Sequence, residues 1–208
     1  MACRSRGIRL VTFSSDLVFD GTSRTPYTEE SSPAPLNVYG ESKAAAERKV
    51  LAADPAALVI RTSAFFGPWD EHNFVTRAMR LLQEDQECIA ADDALVSPTY
   101  VPDLVNATLD LLIDGESGIW HLANVGAVTW SELARLVACG LGLDSSRVVG
   151  RPQERLGYTA RRPRYSAIIS ARAALMPSLE HAIERYLSES EFGRRTEPPE
   201  PAAELLGA

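Results

Sequence analysis

Ile8-Arg9-Leu10-Val11-Thr12-Phe13-Ser14-Ser15-Asp16 opens on β-branched, aliphatic and aromatic residues and closes on two hydroxyls and a carboxyl. That order predicts a strand over 8–13 in a buried sheet, with polar side chains just past its C-terminal end. Working outward, a polar, Pro-rich stretch occupies 20–35, and residues 37–53 carry Ala, Glu, Lys and Leu at helix-forming density. Ala57-Leu58-Val59-Ile60-Arg61 predicts the next strand. A loop rich in Gly, Pro and aromatics then leads to a helix near 73–83 and a short strand near 87–90. Pro102-Asp103-Leu104 starts another helix, because proline at a first-turn position lacks only an N–H that would have no partner anyway. Gly118-Ile119-Trp120-His121-Leu122-Ala123 reads as a strand, and Thr129 with Glu132 forms a capping box that opens a helix to about Leu141. Gly140-Leu141-Gly142 reads as the C-cap of that helix. Residues 150–170 are rich in Arg and Pro, and a last helix spans about 179–188. Strands alternating with helices mean an α/β chain with a largely parallel sheet.

Composition narrows the function classes. The 208 residues are 45% hydrophobic and 24% charged with a net charge of −7, which fits an ordinary globular chain and excludes a disordered or fibrous one. An acidic balance argues against a dedicated nucleic-acid binder and for a small-molecule or protein partner. Cys3, Cys88 and Cys139 are odd in number and far apart, so no disulfide framework or thiolate zinc site is readable, and a reducing cytoplasm fits best. His72, His121 and His181 show no metal-ligand spacing, and His121, inside a strand, reads as a packed core residue. The opening segment lacks a signal-type apolar run, and no stretch of about 18 apolar residues occurs. The basic residues are almost all Arg, so lysine chemistry has two candidates, Lys43 and Lys49.

Tyr39-Gly40-Glu41-Ser42-Lys43 puts a Tyr and a Lys four apart at the start of a helix, on one face. A tyrosine hydroxyl ionises near pH 10. A neighbouring ammonium favours the ionised form, so the pair can serve as a general acid toward a carbonyl oxygen. By itself this spacing is more often a solvated helix face. The hydroxyls of Ser14 and Ser15 alter the balance, since they follow a strand where open parallel sheets bind ligands and can stabilise charge on the same oxygen.

Three longer stretches carry a resemblance: Ser14-Ser15-Asp16-Leu17-Val18-Phe19-Asp20-Gly21, Pro26-Tyr27-Thr28-Glu29-Glu30, and Pro35-Leu36-Asn37-Val38-Tyr39-Gly40-Glu41-Ser42-Lys43. Together with Arg61-Thr62-Ser63, Asn73-Phe74, Ser97-Pro98-Thr99-Tyr100 and Arg161-Arg162-Pro163, they resemble the extended short-chain dehydrogenase/reductase superfamily, specifically its dTDP-4-dehydrorhamnose reductase branch. The likeness covers about residues 5–188. It implies an NADPH-dependent (or NADH-dependent) reduction of a 4-keto nucleotide sugar in dTDP-rhamnose biosynthesis. On that resemblance Tyr39 is the acid, Lys43 holds the nicotinamide ribose and tunes Tyr39, and Ser15 completes the catalytic triad. Ser14 and the Arg61-Thr62-Ser63 segment lie beside the nicotinamide. Asp16, Asn73, Ser97 and Thr99 border the sugar nucleotide, with Arg162 on its phosphates, where a guanidinium fork fits.

The chain departs from the family's pattern in two places. Leu17 and Ala64 stand where these reductases usually carry Tyr and Trp, which removes two aromatic walls of the sugar pocket. The other departure is that no G-x-G-x-x-G or G-x-x-G-x-x-G follows a first strand, so the pyrophosphate cradle at a helix N-terminus is not present. The expectation is therefore the C-terminal part of a Rossmann-type doubly wound sheet with a small α/β substrate-binding domain. Residues 1–64 form a partial nucleotide-binding domain with the catalytic helix, 65–190 the substrate region with segments returning to the sheet, and 191–208 a disordered tail. A complete unit of this kind places roughly 80 to 100 further residues, at about 30 per βαβ repeat, ahead of Ile8. Activity of the chain alone is expected to be weak, with an upstream domain or partner protein supplying the rest. The alternative is a non-catalytic binding subunit resembling the β subunit of methionine adenosyltransferase.

Overall fold

The computed structural model describes residues 2–190, so the tail expected at 191–208 lies outside the described residues. The elements run α1 (Ala2–Ser5), β1 (Val11–Phe13), α2 (Val38–Ala53), β2 (Leu58–Arg61), β3 (Phe65–Phe66), α3 (Phe74–Gln83), β4 (Cys88–Ala91) and β5 (Leu95–Val96). They continue with β6 (Thr99–Tyr100), α4 (Val101–Ile113), β7 (Gly118–His121), β8 (Val128–Thr129), α5 (Trp130–Gly140), β9 (Val148–Arg151) and α6 (Leu179–Glu189). Short 3-10 turns occupy Asp16–Val18, Ser145–Arg147 and Gln153–Leu156.

The main sheet is parallel throughout, in the order β1-β2-β7, with Val11 opposite Leu58 and Leu58 opposite Gly118. Its central strand, β2, is buried at all four positions, which is why 58–61 has no polar alternation apart from Arg61. Leu104, Ala107 and Leu111 of α4 cover Leu58, Ile60 and Trp120 from one side. The helix α2, which links β1 to β2, is fixed through a different kind of residue: Glu47 is buried and accepts both ends of the Arg61 guanidinium at 2.9 and 2.7 Å. Arg61 in turn approaches His121 Nε2 at 3.3 Å, so a buried polar row ties α2, β2 and β7 together.

A second core gathers Met79 of α3, Leu133 and Val137 of α5, and Ile183 and Tyr186 of α6 around Phe66 and Tyr100. Beside it β4 pairs with β9 and β3 with β6, both in parallel, while β5 runs antiparallel to β8. The capping box forms as the spacing predicts: the Glu132 N–H donates to Thr129 Oγ1 at 3.2 Å and the Thr129 N–H to Glu132 Oε2 at 2.7 Å. The helix it opens ends at Gly140, and Gly142 supplies the left-handed turn with φ of 66°. Strand β9 departs from the sequence reading, because only Val148 and Val149 in it are apolar and its pairing with β4 comes from tertiary contact.

Candidate active site

The C-terminal ends of β1 and β2 open into a cleft of about 260 Å³, bordered by Ser14, Ser15, Asp16, Leu17, Tyr39, Thr62, Ser63, Ala64, Phe65, Trp130, Gln153, Arg162 and Ser166, among others. Its position is where parallel α/β sheets hold ligands. Tyr39 reaches it because of the way α2 begins. Asn37 caps the helix by accepting from the Gly40 N–H at 2.8 Å. Gly40 then lies directly on the 3-10 turn after β1: a Cβ there would stand 2.1 Å from the Leu17 carbonyl oxygen and 2.9 Å from Pro35 Cβ. Only a hydrogen at this position lets the helix N-terminus sit against the Ser15–Leu17 turn. Lys43, one turn further on, donates to the Phe13 carbonyl at 3.1 Å, and its ammonium is 5.6 Å from the centre of the Tyr39 ring. Tyr39 itself is half exposed.

Two features mark the floor of the cleft. Ser14 Oγ is enclosed and has no hydrogen-bond partner. A buried hydroxyl without a partner carries a free-energy cost, so it marks a place where a ligand atom would be welcome. Asp16 is the second feature. Its carboxyl is met by the hydroxyls of Ser15 at 3.0 Å, Ser63 at 2.8 Å and Ser166 at 2.6 Å. Burial pushes this carboxyl above the usual range, while the three serine hydroxyls pull it the other way.

Of the residues singled out from sequence, the cleft therefore gathers Ser14, Ser15, Asp16, Tyr39, Thr62, Ser63 and Arg162, with Lys43 behind Tyr39. Arg162 lies 4.5 Å from the Tyr158 ring centre, and together with Gln153 it also borders an adjoining cleft of about 440 Å³ that Arg161 and Arg164 line. Leu17 and Ala64 both face the cleft, and Ala64 takes the left-handed backbone with φ of 43°. Such a φ is uncommon for a residue with a Cβ.

Four of the expected residues are placed by the structure with their side chains away from this cleft. Arg61 does not reach the cleft with its side chain: it is 1% exposed, and the Glu47 carboxylate fixes its guanidinium in the core. Asn73 is the N-cap of α3, accepting from the Thr76 N–H at 2.9 Å and donating to the Asp70 carbonyl at 2.6 Å, and it is not among the residues lining the cleft. Ser97 turns inward, where its Oγ donates to the Ile168 carbonyl and accepts from the Ile168 N–H. Thr99 is fully buried and accepts from Thr62 Oγ1 at 3.2 Å. In each case a polar side chain beside a strand or helix end satisfies backbone groups or a buried partner, which spacing alone does not distinguish from ligand binding. Sequence reasoning missed Phe65, Trp130, Gln153 and Ser166. Ser166 had a signal, lying three residues past Arg161-Arg162-Pro163, whereas Gln153 sits in the Arg- and Pro-rich stretch and carried none.

Comparison with known proteins gives a consistent picture. Residues 1–190 match the model of the RmlD substrate binding domain. A dTDP-4-keto-6-deoxy-D-glucose reductase of Streptomyces niveus is 39% identical over 167 residues, covering 80% of this chain and 58% of the relative. A dTDP-4-dehydrorhamnose reductase of Mycolicibacterium smegmatis is 37% identical, covering 83% and 54%. The chain thus spans little more than half the length of these curated relatives. Among solved structures, the dTDP-4-dehydrorhamnose reductase of Bacillus anthracis in complex with NADP superposes with a TM-score of 0.86 at 33% identity, over 91% of this chain and 68% of that one.

Proposed function

The chain belongs to the RmlD substrate binding domain family, and from that premise we propose that its cleft binds a 4-keto nucleotide sugar and takes part in reducing the carbonyl to a hydroxyl with NADPH as reductant. The observation that carries this reading is the convergence of Ser14, Ser15 and Tyr39 on one cleft at the ends of β1 and β2, with the Lys43 ammonium beside the Tyr39 ring. A bound nicotinamide supplies the hydride that adds to the carbonyl carbon. The chain's own residues handle the oxygen. Tyr39 donates its phenolic proton to that oxygen as charge develops, and the Lys43 cation favours the phenolate left behind. Ser15 Oγ, adjacent in the cleft, hydrogen-bonds the same oxygen. Solvent restores the Tyr39 proton, which half exposure permits.

The residues present fit the reactive end of such a cofactor. The unpartnered Ser14 hydroxyl and the Lys43 ammonium are donors of the kind that ribose and carboxamide oxygens need. They do not fit its pyrophosphate, since no described strand passes into a helix through a glycine-rich turn. The adjoining cleft, with Arg161, Arg162 and Arg164 on its walls, suits the diphosphate of the sugar nucleotide.

Calorimetric titration of the purified chain with a dTDP-sugar tests the reading. Binding is expected, and Arg162→Ala should weaken it by about ten-fold, the loss of one charge-assisted contact. In a form extended to the length of the relatives, Tyr39→Phe should lower NADPH-dependent turnover by roughly 10²- to 10⁴-fold. No sugar-nucleotide affinity, together with a stable complex with another protein, would overturn the reductase reading in favour of a binding subunit.

A further inference from the structure

The carboxyl of Asp16 has no role in the chemistry above, yet it joins three separate parts of the chain. Ser15 follows β1, Ser63 follows β2 and Ser166 comes from the far side of the cleft, and all three hydroxyls reach this one group. The residue is 6% exposed. A hydroxyl has one hydrogen to give and two lone pairs to receive. When Asp16 is ionised it can only accept, so the Ser15 hydrogen points to Oδ1 at 3.0 Å. Ser15 Oγ already accepts from the Leu17 N–H at 3.2 Å. What Ser15 then turns toward the cleft is a lone pair, and a lone pair cannot bond the oxygen of a carbonyl.

A proton on Oδ1 reverses the direction of that same contact. Asp16 then donates to Ser15, which accepts from Asp16 and from Leu17 and has its own hydrogen free for the cleft. Oδ2 accepts from Ser63 and Ser166 in either state. We propose that Asp16 is a positioning residue that works in its protonated form, aiming the Ser15 hydroxyl hydrogen at the substrate's carbonyl oxygen; this rests on the carbonyl-reducing reading of the same cleft. Burial of the carboxyl favours the neutral acid that the geometry requires. The groups acting on it are the three serine hydroxyls and its own backbone N–H, and Tyr39 and Arg162 are the titratable and charged side chains that share its cleft.

Carbon-13 NMR of aspartate side-chain carboxyls between about pH 4 and pH 9, spanning the range above the ordinary carboxylate value, gives a direct test. Asp16→Asn identifies the Asp16 signal by its loss. That signal is expected to stay in the protonated position after exposed aspartates such as Asp144 have ionised, and ionisation together with them overturns the proposal. The second measurement is the preference for a 4-keto over a 4-hydroxy nucleotide sugar. Asparagine can donate to Ser15 from Nδ2 and accept at Oδ1, so Asp16→Asn should keep the preference within about two-fold. Asp16→Ala and Ser15→Ala should each reduce it by about ten-fold, and the double variant by no more than either alone. Additive losses, or loss of the preference in Asp16→Asn, overturn the proposal. Should Asp16→Ala not fold, Asp16→Asn and Ser15→Ala still decide. Failure of either sugar to bind would refute the reading of the cleft, and the role given to Ser15 with it, while the carboxyl titration reports separately on Asp16.

Discussion

Acid should destabilise this protein through one buried ring. His121 is 2% exposed, with Nδ1 at 3.1 and 3.2 Å from the carbonyls of Tyr27 and Ile169 and Nε2 at 3.3 Å from the Arg61 guanidinium. The neutral tautomer with hydrogen on Nδ1 satisfies these contacts: one N–H meets two carbonyls and one lone pair meets Arg61. A proton on Nε2 removes the acceptor and sets one cation against another. Burial above all, and Arg61 after it, hold the ring's pKa at about 4 against an ordinary 6.5, although the Glu29 carboxylate and the two carbonyls pull upward. Because the folded value is the lower one, the unfolded chain takes the proton first. The stabilisation is therefore complete above pH 6.5 and is lost as the pH falls from about 6.5 to about 4. At about 1.4 kcal/mol per pH unit the full loss is about 3 kcal/mol, a large part of a typical domain's stability. The raised Asp16 carboxyl acts in the opposite sense, adding stability at low pH, so the difference between variants is the measure. Urea unfolding of the wild type and of His121→Gln at about pH 7.5 and about pH 4.5 should show the wild type losing about 2 kcal/mol more than the variant. Equal losses, or a His121 ring resonance that titrates near its ordinary pH, would refute the argument.

The other predictions concern packing. Gly40→Ala should be destabilising by at least about 1–3 kcal/mol despite alanine's better helix propensity, because the new Cβ meets the Leu17 backbone at 2.1 Å, and denaturant unfolding reads this directly. It should also weaken ligand binding, since Tyr39 and the Ser15 turn are moved apart. Glu47→Gln leaves the Arg61 cation buried without its counter-charge and should cost about 3–5 kcal/mol by thermal or chemical unfolding. Asn73→Ala removes a helix cap and should cost about 1 kcal/mol, and an effect on sugar-nucleotide affinity larger than on stability would return Asn73 to the ligand site.

The elements that could be read from the sequence are those whose signal is local. Helix α2 was legible from the density of Ala, Glu, Lys and Leu over 37–53, and α5 because Thr129 and Glu132 form a reciprocal cap. Strand β2 stood out as an apolar run because it is the central strand of the sheet and buried at all four positions, while β7, at the sheet's edge, still showed the Ile-Trp pair of a strand. The two-residue strands β3, β5, β6 and β8 carry no period to detect, and β9 exists through its partner β4. Tertiary contact, absent from a local window, makes those strands.

The same distinction explains which of the expected side chains meet at the cleft. Ser14, Ser15, Asp16 and Tyr39 reach the cleft because they sit at the end of a strand and the start of a helix that Gly40 presses against it. Arg61 was read together with its neighbours Thr62 and Ser63, which do line the cleft, but the Arg61 side chain is buried against Glu47 of α2 and does not reach it. There it would be an unpaired buried cation without Glu47, two turns along α2 from Tyr39. The arginine so serves the site at a distance: it fixes the helix that carries Tyr39 and Lys43, through a contact that no spacing in either segment announces. If that is its role, Glu47→Gln should disturb the Tyr39 side of the cleft as well as lowering stability, whereas a change confined to the far side of the sheet would leave ligand affinity unmoved.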